Sequence, residues 1–307
     1  MGRSRACCLA VGFGLGFGAS IAIAEKIPSP EALEQSGARP VTLTVIEPHL
    51  SEPGHPVAIA YMAFPASAVL SAAFGPDWAM KAKTIEFRAL DGYVSRIDAA
   101  RLTSKTAYMA FARVDHSPFS IDNLTQNEKN IPLGPYYLVW DNTEAPELLS
   151  EGARNWPYQV IDVSIFNASE AALRPPGFNP ALEVGLSNVK ANCLTCHKVN
   201  GFGGEKVEGN LALVARRLPA AEFVKWTLEP SAVKPDTTMP ALSTTLGEVE
   251  RRAIAQSIYE YLSQVRWRPS PRRLADDGLP NFGDTQAATD GARGIRLVYF
   301  AFAQRSS

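Results

Sequence analysis

The chain predicts a multi-domain protein, with a β-rich α+β domain over residues 38–170 followed by an all-α domain over residues 179–266. Three observations carry this reading. A length of 307 residues is long for one domain and comfortable for two. Short runs that alternate apolar and polar residues crowd the first half, in the period of strands. Two apolar stripes in the period of helices frame the second half.

Residues 1–24 read as an export signal. Arg3 and Arg5 form a short basic head, and Ala6 to Ile23 is apolar and rich in Ala and Gly. Ala22-Ile23-Ala24 has the small-x-small form of a cleavage site, with Glu25 as the new N-terminus. The apolar stretch is about 18 residues, borderline for a membrane span, but its glycines and its ending favour cleavage. Cys7 and Cys8 leave with it. So do two arginines, leaving 28 basic against 31 acidic side chains and a net charge of −3 in place of −1. That balance gives no support to nucleic-acid binding, which wants a strong basic excess. No later run is apolar enough to span a bilayer, so membrane contact is expected to be peripheral at most.

The α+β domain follows. Val41 to Val45 alternates like a strand, and Val57 to Met62 is a second candidate. Pro65 to Phe74 reads as a helix stopped by Gly75. Thr84 to Ala89 and Tyr93 to Ile97, separated by Asp91-Gly92, read as a hairpin with a two-residue turn. Ala107 to Val114, Tyr136 to Trp140 and Tyr158 to Phe166 complete the strands. His49, His55 and His116 lie in Pro- or Ser-containing loops and are read as surface residues. Trp140, Trp156 and Tyr158 are read as core or interface.

Residues 171–178, with Pro175-Pro176-Gly177, break regular structure and read as a linker. Asn179-Pro180 then opens a helix, Asn as N-cap and Pro at the first position. Leu182, Leu186, Val189 and Cys193 fall at i, i+4, i+7 and i+11. Gly185 sits on that stripe; a mid-helix Gly costs about 1 kcal/mol relative to Ala, so it points to a close helix crossing. Val199 to Gly204 reads as a flexible loop and Pro219 to Leu228 as a helix ended by Pro230. Thr245-Leu246-Gly247-Glu248 reads as a capping box. It opens a last helix with its stripe at Ile254, Ile258, Tyr261, Leu262 and Val265.

The first stripe runs into Cys193-Leu194-Thr195-Cys196-His197. C-x-x-C-H is the attachment signature of c-type haem. Two thiols add across the haem vinyl groups, and the adjacent imidazole ligates the iron; Cys193 and His197, at i and i+4, share a face of one turn. A thioredoxin-like pair expects a strand before the motif. A zinc site needs about four ligands, and beyond Cys193, Cys196 and His197 no other cysteine or histidine follows the linker. The reading is one covalently bound haem c, with Cys193 and Cys196 as thioether positions and His197 as the proximal iron ligand. Met239 is the only methionine after Met109 and sits in the Thr- and Pro-rich loop Lys234 to Pro240, off any helical stripe. It is the expected distal ligand. Covalent haem attachment takes place outside the energy-transducing membrane, in agreement with the export signal and a periplasmic location.

Over residues 179–266 the chain resembles the class I (mono-haem) cytochrome c family. The resemblance rests on Gly185 eight residues before Cys193, the C-x-x-C-H motif, Gly203-Gly204, Met239-Pro240 and the closing helix with Tyr261-Leu262. It implies a small all-helical fold around one haem, with first and last helices crossing near the glycine. The family often carries a Gly-Pro-x-Leu-like segment whose proline carbonyl accepts the proximal imidazole N–H; here Gly209-Asn210-Leu211 stands in its place. The first domain resembles the molybdopterin-binding domain of the sulfite-oxidase fold, through Phe87 to Tyr93, Pro132 to Val139 and Trp156 to Val160. That family binds molybdenum through a protein cysteine, and residues 25–192 contain none. The gap argues against molybdopterin, and no catalytic residue is carried over.

The resulting expectation is an exported electron carrier whose first domain docks it to a redox partner, a dehydrogenase or terminal oxidase. The alternatives are a haem-containing molybdenum oxidoreductase of sulfite-dehydrogenase type and a non-catalytic cytochrome subunit of a larger dehydrogenase complex. In the tail, residues 267–307, Arg268, Arg272 and Arg273 continue from Arg266 among prolines and read as a solvated linker. Val298 to Phe302 is apolar enough to pack on a domain.

Overall fold

A computed structural model describes residues 24–266, apart from 53, 104–105, 167–169 and 245. The leader up to Ile23, with Cys7 and Cys8, the capping-box Thr245 and the tail readings beyond Arg266 lie outside the described residues.

In chain order the first region holds strand β1 (Ala24–Lys26), helix α1 (Pro30–Gln35), β2 (Val41–Ile46), β3 (Ala58–Pro65), α2 (Ala66–Phe74) and α3 (Trp78–Lys81). It continues with β4 (Thr84–Ala89), β5 (Val94–Asp98), α4 (Ala99–Leu102), β6 (Ala107–Arg113), β7 (Ser120–Asn123), β8 (Glu128–Pro132), β9 (Tyr137–Trp140) and β10 (Val160–Phe166). Two four-stranded antiparallel sheets result, in the orders β1-β10-β4-β5 and β2-β3-β6-β9, with β7-β8 as a separate ribbon. Both large sheets feed one core: Val45, Tyr61 and Phe64 come from one, and Ile85, Phe87 and Val163 from the other. The alternation in the sequence is what allows this, since successive residues point to opposite faces. Trp140 and Trp156 are buried in that core and Tyr158 packs against it.

The β4–β5 turn differs from expectation. Ala89 N donates to Tyr93 O and Gly92 N to Ala89 O, so the loop is three residues, Leu90-Asp91-Gly92, with Gly92 left-handed at φ 85°. A left-handed residue closing a type I turn is the usual three-residue solution. It aims Gly92 O at the second region, where Glu205 N donates to it at 2.8 Å.

The second region holds α5 (Glu183–Asn192), β11 (Lys198–Val199), β12 (Phe202–Gly203), α6 (Leu211–Arg217), α7 (Ala220–Leu228), α8 (Pro230–Val233) and α9 (Glu248–Gln264). Asn179 caps a short 3-10 turn ahead of α5 by accepting from Ala181 N. Gly185 lets α5 and α9 meet: a Cβ there would collide with the Ser257 carbonyl and lie 2.8 Å from Tyr261 Cβ. Leu186, Val189, Ile258, Tyr261 and Leu262 fill the second core beside this crossing. The Pro175-Pro176-Gly177 segment is irregular, but Leu173 before it is fully buried and its carbonyl accepts from the Tyr261 hydroxyl at 2.9 Å. The last helix begins with Gly247 as N-cap and no side-chain cap bond.

The predicted fold class, an α+β domain followed by a separate all-α class I cytochrome c domain, is corrected. The described chain is β-rich with several sheets, and no all-α cytochrome c domain stands out in it. Its described residues belong to one compact unit. The segment expected to be helix and loop alone contains the antiparallel hairpin β11–β12. The physical reason is local. Asn200 and Gly201 both take left-handed backbone, φ 52° and 83°, the conformation of a two-residue type I′ turn for which Asn-Gly is the preferred pair. The stretch read as a flexible loop is therefore an ordered hairpin. It packs Phe202 against Phe166 of β10, with ring centroids 5.6 Å apart.

Candidate functional site

The C-x-x-C-H segment continues α5 by one turn. Cys193 N donates to Val189 O at 2.9 Å, and His197 N donates to Cys193 O at 2.9 Å. Cys193 and His197 therefore share a turn, with Cys196 beside them; all three are half-buried, and both cysteines are free thiols. Leu194 is buried in the second core, against which Cys193 also packs. The carbonyls of the turn are held from outside. Gly204 N donates to Leu194 O and His197 O, Val207 N to Cys196 O, and Val94 N to Thr195 O.

The Gly203-Gly204 pair makes this possible. A Cβ on Gly203 would collide with the His197 carbonyl, and one on Gly204 with the Thr195 carbonyl. The hairpin backbone thus lies directly on the motif backbone, which no other residue type permits.

The protonation states fit the donor set. Burial pushes the Cys193 thiol up to about 12, helped by Cys196, and burial also raises Cys196. A disulfide-exchange pair depends on a lowered thiol pKa, so this environment opposes that chemistry. Burial lowers His197, favouring the neutral imidazole that can ligate a metal. Among the described residues no group of three or more His, Cys, Asp or Glu side chains stands together as a metal cage. Two thiols three apart plus one imidazole on the same turn fit a covalently held haem. Met239 lies in the loop between α8 and α9, half-buried, its N–H donating to Thr237 Oγ1 at 3.1 Å. No hydrogen bond or ring contact links it to His197 among the described residues.

No protein-family model matches this chain, and no curated protein and no solved structure matches it. The reading of the site therefore rests on its residues.

A polar seam joins the motif to the first region. Lys206 donates to Gln126 Oε1 at 3.1 Å, and it pairs with Glu128 at 3.2 Å and Asp91 at 3.0 Å. Burial works to lower the Lys206 pKa, but Tyr158, Asp91 and Glu128 outweigh it and hold the ammonium above its ordinary range. Tyr93 interacts with Thr195 and Cys196, and desolvation raises its phenol. Further along, Arg96 is clasped between the Phe166 and Phe202 rings, 4.4 and 4.5 Å from their centroids, and pairs with Glu86 at 2.6 Å.

Sequence reasoning placed His55 and His116 on the surface, where they are. It placed His49 there too, and that is corrected: His49 is only 5% exposed. Glu47, two residues earlier and fully buried, takes its Nδ1 at 2.8 Å and its backbone N–H at 3.2 Å. Tyr137 and Tyr61 also donate to Glu47, at 2.9 and 2.8 Å. Burial alone would raise Glu47, but His49 and the Tyr61 hydroxyl hold it below the usual carboxylate range. The signal available was the spacing: Glu-x-His after a strand lets carboxylate and imidazole meet, and a buried carboxylate demands such partners.

Proposed function

We propose that this chain is an exported carrier of single electrons. In this reading it holds one haem c through Cys193 and Cys196, with His197 and Met239 as the axial iron ligands. The observation that carries the reading is the turn at 193–197, where two thiols and an imidazole stand together on a backbone clamped by Gly203-Gly204. When bound, the haem supplies a one-electron iron couple. The chain's own residues do the rest. His197 is held by its backbone bond to Cys193 O, Leu194 anchors the turn in the core, and the Thr195 carbonyl ties it to β5. With the haem bound, Met239 would be the second protein group to hold its iron, which would favour outer-sphere transfer over oxygen or peroxide chemistry.

The first region serves as the docking part for a redox partner protein, a dehydrogenase or terminal oxidase, in the periplasm. Its contribution to the motif is rigidity: the Lys206 and Arg96 contacts fix the turn against the sheets. The test is spectroscopic, on protein matured in a host that attaches haem to such motifs. The reduced protein should be low-spin, and Met239→Ala should open the iron to carbon monoxide. An unchanged spectrum in that variant removes Met239 from the site.

A further inference from the structure

We infer that the seam between the two regions contains a binding site for a small neutral carbonyl compound, a short ketone, and that this site is independent of the haem reading. A cavity of about 50 Å³ lies there, with His49, Asp91, Tyr93, Trp156, Tyr158 and Lys206 in its wall. A water takes roughly 10–15 Å³ of such space, so the cavity holds on the order of four non-hydrogen atoms.

Charge selects first. Asp91 is the acid of the lining and Lys206 its base, and they pair with each other at 3.0 Å, so their charges cancel. His49 holds Nδ1 against Glu47 at 2.8 Å. Its Nε2 is a donor in the charged ring and an acceptor in one neutral tautomer, so it selects neither kind of ligand. An ion of either sign would give up its hydration with no unbalanced charge in the lining to receive it. A neutral ligand avoids that cost.

Hydrogen bonding selects next. Trp156 is 4% exposed, and its indole N–H finds no acceptor among the described residues. It is also not among the sealed, unpartnered side-chain atoms there, which are the Nε atoms of Arg96, Arg113 and Arg251. It therefore opens onto accessible space, and the cavity is the space that Trp156 lines. An indole nitrogen only donates, so the ligand must accept. Gln126 adds to that demand: its Oε1 accepts from Lys206 at 3.1 Å, leaving its NH2 to donate. The acceptors of the lining are engaged. Asp91 Oδ1 accepts from Tyr93 N and Oδ2 pairs with Lys206. The Tyr158 hydroxyl donates to Glu128 and accepts from Asn123. A ketone oxygen offers two lone pairs and brings no hydrogen that needs a partner. Ala89, Ala153 and Pro157 supply apolar wall for its alkyl groups. Acetone meets the size, the neutrality and the hydrogen-bonding demand together.

The test is titration of the full-length protein, as purified, with acetone, read from the indole cross-peaks of a proton–nitrogen correlation spectrum. The chain has five tryptophans, and Trp156→Phe identifies the cross-peak that belongs to Trp156. That cross-peak should move downfield along a saturating curve as the N–H gains an acceptor. Isopropanol, sodium acetate and ethylammonium chloride, of similar size, bring a donor, a negative and a positive charge, and each should bind more weakly than acetone. Ala153→Leu fills the cavity from a partly exposed wall position and keeps Trp156. It should weaken acetone binding about tenfold or more while leaving the other indole cross-peaks in place. A Trp156 cross-peak with no saturable movement, any of the three other probes binding as tightly as acetone, or binding insensitive to Ala153→Leu would each overturn the inference. The comparison of probes uses the unaltered chain, so it decides the matter even where the variant does not fold. Haem content does not enter the readout, so failure here and failure of the haem reading are separate results.

Discussion

Gly204→Ala tests how the motif is held. A Cβ built on Gly204 falls within the Thr195 carbonyl oxygen and lies 2.7 Å from Thr195 C and 3.1 Å from Cys196 N. The nearest atom is the Thr195 carbonyl oxygen at 2.0 Å; carbon–oxygen contacts rest at about 3.3 Å or more, so the two backbone segments must part by roughly 1.3 Å. The neighbours are backbone and cannot swing aside. They are also pinned, since Thr195 O accepts from Val94 N and Gly204 N donates to Leu194 O and His197 O. Gly204 is not among the positive-φ residues, so alanine adds no backbone strain and the cost is steric alone. Forcing an extra methyl into packed structure costs about 1–3 kcal/mol. For a unit of this size each kcal/mol moves the midpoint by about 2–4 °C, so the melting temperature should fall by about 2–12 °C. Thermal denaturation followed by circular dichroism measures it. A melting temperature within about 1 °C of the parent would refute the clamp.

Other consequences follow from the same geometry. Gly185→Ala should destabilise by about 1–3 kcal/mol in urea titrations, because the crossing of α5 and α9 has no room for a Cβ. Gly247→Ser should act in the opposite direction by a few tenths of a kcal/mol, since α9 starts with no side-chain cap and nothing lies within 4 Å of that position. Lys206→Met should cost about 3 kcal/mol or more by leaving Asp91 and Glu128 facing each other without their cation, and a smaller loss in urea would count against the seam. Glu47 has a depressed pKa in the fold. Its contribution is therefore present above the unfolded carboxylate value of about 4.3 and is lost as pH falls through the lower, folded value. Glu47→Gln should flatten the acid limb of the stability–pH curve below that range; an unchanged limb would show that other carboxylates set it.

Much of the element pattern could be read from the chain, because it depends on periodicity. The β3, β4, β6, β9 and β10 strands lie within a few residues of their alternating runs, and the α9 stripe is buried at Ile258, Tyr261, Leu262 and Val265 as its spacing implies. The close crossing at Gly185 was legible because glycine on an apolar stripe has few other uses. The layout was not. Asn200-Gly201 was weighed as a breaker when its flanks allowed a two-residue hairpin, and the fold class went wrong with it. Nor could periodicity show that Gly92, Lys206 and Arg96 tie the second region to the sheets, since those contacts join residues 78 or more positions apart in sequence. At the candidate site, Cys193, Cys196 and His197 were visible as a motif. The Glu47–His49 cluster was missed because a histidine in a Pro-containing loop gives no local sign of burial; only the fold brings Tyr61 and Tyr137 onto the same carboxylate.

The measurement that bears most directly on the central claim is the intact mass of the protein recovered from a haem-maturing periplasm, taken under denaturing conditions. The account predicts one haem per chain that survives denaturation, mapped to the peptide holding Cys193 and Cys196, and lost when both are changed to Ala. A denatured chain carrying no added mass, or haem attachment that persists in the double variant, would contradict it.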